Sequence, residues 1–244
     1  MKKTRTIVIH GGPGLLSGYL RAPLSDLFPE MALEFFEQSE GNSASLSESL
    51  KRCRDAMEKA SSTSRCNVLC HSWGTLLLLL CIESHPELTR NIHKIVFSNP
   101  LPLTASGFGV AQARLFERVP EDHALRLREL MASDDAADHS EGLRQLYPYY
   151  STTDSIPDAF KPEYDYRSFA GIFGEVGDYD LRKSALLGSE NILCVFGTGD
   201  FIEPNDCAEL CDAACQSINI DGGGHYPFLE KPQKFRRVIS DFLN

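Results

Sequence analysis

Six short runs punctuate the chain: Thr6–Ile9, Ala32–Phe36, Asn67–Cys70, Lys94–Ser98, Asn191–Phe196 and Gln216–Ile220. They are rich in Val, Ile, Leu and Phe, too short for helices, and most break at turn-forming residues, as buried parallel strands do. Helical spacing fills the stretches between them. Leu46, Leu50, Cys53 and Met57 share one face of a helix predicted over Ser45–Lys59, with Ser45 or Ser47 as its cap. The run from Leu76 to Leu80 is apolar all round and so belongs beneath a sheet, and Lys231–Leu243 reads as a closing helix. A polar loop is expected over Glu37–Ser43. The order strand, strand, helix, strand, helix, strand in the first hundred residues predicts an α/β fold, a mostly parallel sheet with helices on both faces.

From Thr104 to Lys183 the strand pattern stops. This segment is helical, as over Glu121–Met131, and then aromatic, with Tyr147, Tyr149, Tyr150, Phe160, Tyr164, Tyr166, Phe169 and Phe173. Residues 104–183 therefore read as a cap inserted into a core made of 1–103 and 184–244. An insertion after a strand's C-terminal end lies over the crevice where open α/β sheets bind ligands. About half of the aromatics are expected to form the cap's own small core. Tyr147, Tyr150 and Phe173 are the candidates for touching substrate.

Composition narrows the function classes. The 244 residues carry a net charge of -10, which excludes a phosphate-binding surface of clustered Lys and Arg and hence nucleic acid. The longest apolar run, Leu76–Ile82, is far short of a membrane span, and nothing before the first strand resembles a signal peptide, so the expected address is cytoplasmic. The 8 cysteines then read as reduced core residues. Cys207, Cys211 and Cys215 fall four apart on a predicted helix, a spacing open to a soft metal but better explained as a buried small-residue stripe. No metal and no cofactor are expected. Oligomeric state has no signature in the sequence.

The chemistry gathers where strands break. In Asn67-Val68-Leu69-Cys70-His71-Ser72-Trp73-Gly74 a strand passes through a sharp corner into the Leu-rich helix, a nucleophile elbow that pushes Ser72 out of the strand end. Gly74 suits the close strand–helix passage there, and Cys70 stands where glycine is commoner. His10-Gly11-Gly12-Pro13-Gly14 ends the first strand, and Gly12 with the Trp73 amide would form an oxyanion hole. Asp200 and His225 follow the last two strands, in the chain order Ser, Asp, His expected of a triad on such a sheet. Glu203 is the reserve acid. His10 is expected to brace its loop, and His71 to point into the structure or line the pocket.

These residues resemble the α/β-hydrolase superfamily, within it the proline iminopeptidase-like branch. The carriers are His10-Gly11-Gly12-Pro13-Gly14, Ser72-Trp73-Gly74 with Thr75 and Leu76, Gly199-Asp200, and Gly224-His225 with Phe228. The resemblance covers about Ile7–Pro100 and Ile192–Asn244 and fades in the cap. It implies an α/β-hydrolase fold and a serine hydrolase cleaving a small ester, amide or amino-terminal peptide bond, with a small-molecule or short-peptide substrate. Esterase or thioesterase action, other acyl transfer, C–C cleavage, and a non-catalytic ligand-binding role stay open. Acidic residues in the cap suit a free amino group and its Tyr and Phe cluster suits an uncharged aromatic or acyl chain; an uncharged or mixed substrate range is expected, with aminopeptidase action the leading specific expectation.

Overall fold

The computed structural model describes residues 4–38, 45–61, 65–151, 153, 155–188 and 191–243. The polar loop expected over Glu37–Ser43 lies outside the described residues from position 39 onward. Six strands, β1 (Arg5–Ile9), β2 (Ala32–Phe35), β3 (Cys66–His71), β4 (Ile92–Ser98), β5 (Ile192–Gly197) and β6 (Gln216–Ile220), form one sheet in the order β2-β1-β3-β4-β5-β6. Every pairing is parallel. All exits therefore face one edge, and the connections diverge between β1 and β3, the crevice where such sheets bind ligands.

A helix absent from the expected order, α1 (Gly18–Leu27), joins β1 to β2. Pro23 lies inside it, and proline in a helix interior removes a hydrogen bond and argues against a helix on local grounds. Burial of Tyr19, Leu20, Leu24 and Leu27 along one face overrides that preference. α2 (Leu46–Ala60) begins at Ser45, whose hydroxyl accepts from the Glu48 amide at 3.2 Å. In α3 (Trp73–Ser84), 9 of 12 residues are buried, as its continuous apolar run requires.

Strand alternation sorts the core into two layers. Ile7, Ile9, Val68, Cys70, Ile95, Phe97, Cys194 and Phe196 pack with α2 and α3 on one face. Val8, Leu69, Val96, Leu193 and Val195 pack on the other with α1 and the closing helix.

The segment after β4 contains α4 (Ala105–Glu117), α5 (Glu121–Met131), α6 (Ala136–Tyr150) and α7 (Tyr166–Val176). Its ends lie side by side, since Thr104 and Asp180 form an isolated bridge and the Leu181 amide donates to Leu103 O. Its aromatics do not make a separate small core. Tyr147, Phe160 and Tyr164 join the same buried cluster as Tyr19, Tyr226 and Phe228 from the body of the protein.

After β5 come α8 (Ala208–Ala213), then α9 (Pro227–Glu230) and α10 (Pro232–Leu243) beyond β6. Because α8 is only six residues long, Cys207 and Cys215 fall outside it, and the one-face stripe expected of the three cysteines does not form. Cys207 is buried, Cys211 half-buried and Cys215 exposed. No cluster of His, Cys, Asp or Glu suited to a metal occurs among the described residues. Among those residues, too, no helix is long and apolar enough to cross a membrane.

Candidate active site

The strand exits converge as their local sequences dictate. Ser72 sits at φ 53° and ψ −119°, a conformation rare outside glycine, whose cost of order 1–3 kcal/mol persists only where the surroundings enforce it. They do enforce it here. The Ser72 amide donates to Ser98 O of the neighbouring strand exit at 3.0 Å. A Cβ on Gly74 would lie 2.5 Å from Ile9 O and 2.9 Å from His10 O, so α3 starts in direct backbone contact with β1. Burial pushes the Cys70 thiol up and leaves it inert, so the serine hydroxyl is the nucleophile-type group this corner presents.

Asp200 and His225 meet directly. His225 Nδ1 donates to Asp200 Oδ2 at 2.9 Å and lies 3.1 Å from Oδ1, and both residues are buried. Asp200 Oδ1 also accepts from the Ile202 amide at 3.2 Å, and Oδ2 from Asn99 Nδ2 at 2.7 Å. Glu203 instead lies near Arg114 at 3.5 Å, with its side chain 52% exposed, and so takes no part.

The loop after β6 is glycine-rich for a packing reason. A Cβ on Gly197 would come within 2.4 Å of the Gly223 and Gly224 carbonyls, and one on Gly224 within 2.5 Å of Tyr150 O. The helical segment after β4 thus reaches the histidine itself, and the His225 amide donates to Tyr150 O at 2.7 Å. Arg118 binds the acid loop from the same side, donating to Gly199 O and Asp200 O, each at 2.9 Å. Below, the Glu230 carboxylate accepts from the Gly224 amide and, at 3.3 Å, from the Tyr226 amide, and its burial raises its pKa.

A second network links the glycine loop to the histidine loop. The Gly11 amide donates to Tyr19 Oη at 2.8 Å, Tyr19 Oη lies 2.8 Å from His71 Nδ1, and His71 Nε2 lies 2.9 Å from His225 O. A carbonyl only accepts, so Nε2 carries the proton and Nδ1 accepts from the tyrosine. Burial, reinforced by His225 nearby, drives the His71 pKa well down and keeps the ring neutral. His10 braces its own loop, with Nδ1 donating to Gly11 O at 2.9 Å. With the Gly11 amide engaged and Pro13 lacking one, Gly12, at φ 49°, is the next free donor on that loop.

Of the aromatic candidates, Tyr150 lies tilted against His225 with centroids 5.4 Å apart, and Phe173 lies 5.2 Å from Trp73. Phe173 in turn stacks on Phe108 at 5.1 Å and meets Phe169 at 4.9 Å. Tyr147 is fully enclosed one layer behind, against Phe160 and Tyr226. Asn99, Tyr19, Arg118 and Glu230 escaped the sequence reading. Only Asn99 had a local signal, an asparagine between a strand and a proline, where left-handed backbone is common.

The family model described as the alpha/beta hydrolase family matches residues 7–238. No curated protein sequence matches the chain. Among solved structures, it is similar to an alpha/beta fold family hydrolase from Bacillus anthracis, with a TM-score of 0.71 and 14% identity over 99% of this chain and 92% of that one. It is also similar to proline iminopeptidase from Mycobacterium smegmatis, with a TM-score of 0.64 and 20% identity over 98% and 89% of the two chains. The esterase RhEst1 from Rhodococcus gives 0.65 and 17% over 98% and 90%. At such identities the likeness is one of fold.

Proposed function

The chain belongs to the alpha/beta hydrolase family, and from that premise we propose that it is a serine hydrolase acting on small esters or amides with Ser72, His225 and Asp200 as its triad. The observation that carries this is the Asp200–His225 pair, 2.9 Å apart and buried at the strand exits, with the His225 ring 5.0 Å from that of His71, the residue before the elbow serine. Ser72 Oγ attacks the substrate carbonyl. His225, whose Nδ1 faces Asp200, uses Nε2 to take the serine proton and later return it to the leaving group. Asp200 orients the ring and stabilises its cationic form. The amides of Gly12 and Trp73 hold the oxyanion, roughly 3 kcal/mol per donor in comparable sites.

In this reading residues 104–183 are the cap, and its aromatics favour an uncharged acyl or aromatic group. Phe173, Phe169 and Phe108 form a half-buried apolar wall against Trp73. Two carboxylates at α7 are already engaged: Asp165 caps α7 and bonds Ser168 at 2.7 Å, and Glu175 accepts from the Leu46 amide at 3.0 Å, so neither is a ready partner for a free amino terminus.

The test is a panel of p-nitrophenyl esters and aminoacyl arylamides, with fluorophosphonate labelling, on wild type and Ser72→Ala. Turnover and labelling are expected in the wild type and lost by several orders of magnitude in Ser72→Ala and His225→Ala. Proline arylamide and its N-acetyl form should react alike, and a short acyl ester faster than either. Labelling of Ser72→Ala at the wild-type rate defeats the assignment.

A further inference from the structure

Asn99 ends the turn out of β4, is fully buried, and shares with Ser72 the distinction of being non-glycine at positive φ among the described residues. Glycine would hold that backbone at lower cost. The side chain therefore needs a reason to be there, and its bonds supply one. Asn99 Nδ2 donates to Asp200 Oδ2 at 2.7 Å and to Gly224 O at 3.0 Å. A carboxylate and a carbonyl only accept, and the Ser98 hydroxyl donates to Asn99 Oδ1 at 3.1 Å, so the partners settle which end is the amide nitrogen. The oxygen it holds is the one nearest His225 Nδ1, and the carbonyl it holds belongs to the residue before His225.

We propose that Asn99 is a positioning residue for the Asp200–His225 pair, one side chain that pins the exits of β4, β5 and β6 to each other. The inference rests on the hydrolase reading, since it concerns the same proton-transferring pair. A hydrogen bond to Oδ2 keeps the carboxylate aimed at the imidazole, so the ring that takes the Ser72 proton is held in one orientation. Other groups around the pair are accounted for. Tyr150 of α6, Tyr226 beside the histidine and Cys207 from the turn after β5 feel the Asp200 charge. Arg118, just past α4, binds the acid loop's carbonyls, Glu230 of α9 holds the amides flanking His225, and His71 bonds the His225 carbonyl. Besides the Ile202 amide on Oδ1, Asn99 is the neutral donor to the carboxylate, and it holds the oxygen nearer the imidazole.

The experiment measures fluorophosphonate inactivation against pH for wild type, Asn99→Gly, Asn99→Asp and Ser72→Ala, so no natural substrate need be known. Asn99→Gly suits the backbone but removes the amide, and kinact is expected to fall roughly 10- to 100-fold with KI within about twofold. Asn99→Asp places a second carboxyl against Asp200, and the two must share a proton. Its labelling should survive near neutrality while the shared proton is held and decline at alkaline pH where the wild type is level. Asn99→Gly keeps the inference open to refutation if Asn99→Asp fails to fold. Wild-type kinact and an unchanged profile in Asn99→Gly overturn the positioning role alone. Absence of labelling in the wild type, or equal labelling in Ser72→Ala, overturns the hydrolase reading and the inference with it.

Discussion

Replacing Tyr19 by Phe removes one oxygen and leaves the ring. The ring's neighbours, Phe160, Tyr226, Phe228 and His71, lie with centroids 6.3, 6.1, 6.3 and 5.8 Å away, contacts that do not involve the hydroxyl. Two bonds vanish with that atom, the one from the Gly11 amide and the one to His71 Nδ1, each 2.8 Å long. Tyr19 is 1% exposed, so no solvent replaces them. A buried amide stripped of its acceptor costs about 1–3 kcal/mol, and the imidazole nitrogen left without its donor adds about 1 kcal/mol, for roughly 2–4 kcal/mol in all. In a chain of this size that corresponds to a melting temperature lower by roughly 4 to 16 °C. Differential scanning calorimetry at pH 7.5 reads it directly. A shift below about 2 °C would refute the argument, because it would mean that the link from glycine loop to histidine loop carries no load.

Two further outcomes follow from the same geometry. Burial lowers the pKa of both His71 and His10, so below about pH 6.5 the unfolded chain takes up protons that the folded chain refuses. Stability should be full above that pH and fall as pH drops through it, opposed in part by Glu230, whose raised pKa makes the folded state the better proton binder. Urea midpoints should therefore be lower at pH 5.5 than at 7.5, and a higher midpoint at 5.5 would contradict this. Gly74→Ala would set a methyl 2.5 Å from Ile9 O, backbone that cannot swing aside, and should cost roughly 3 kcal/mol together with most fluorophosphonate labelling. Labelling at the wild-type rate would show that the helix can retreat without disturbing Ser72.

The elements most legible from sequence were those whose signal is local. Strand runs such as Ile192–Gly197 and the Leu-rich helix Trp73–Ser84 announce themselves through composition alone, and a serine between such a strand and helix has few conformations open to it. α1 was illegible because Pro23 contradicts it locally, while the burial that rescues it comes from α10 and the aromatic cluster, far along the chain. Asn99, Arg118 and Glu230 touch partners 101, 82 and 6 positions away, and a single sequence holds no trace of such pairings. Tyr147 shows the converse failure. An aromatic in a loop-rich, aromatic segment looks available to a ligand, yet this one is spent on packing.

The bond from the His225 amide to Tyr150 O, with Arg118 gripping the neighbouring loop, bears on modularity. In the proposed reading residues 104–183 are a cap, and caps look like interchangeable attachments, free to be swapped between scaffolds to change what is recognised. Here the attachment supplies part of the frame that seats the histidine. A chimera given a foreign segment would have to reproduce a carbonyl at that spot before any new recognition could be expressed as turnover, and a graft that omits it should recognise without reacting. An exchange would thus have to spare both Arg118 and the end of α6 at Tyr150, and could not simply cut at the two ends of residues 104–183.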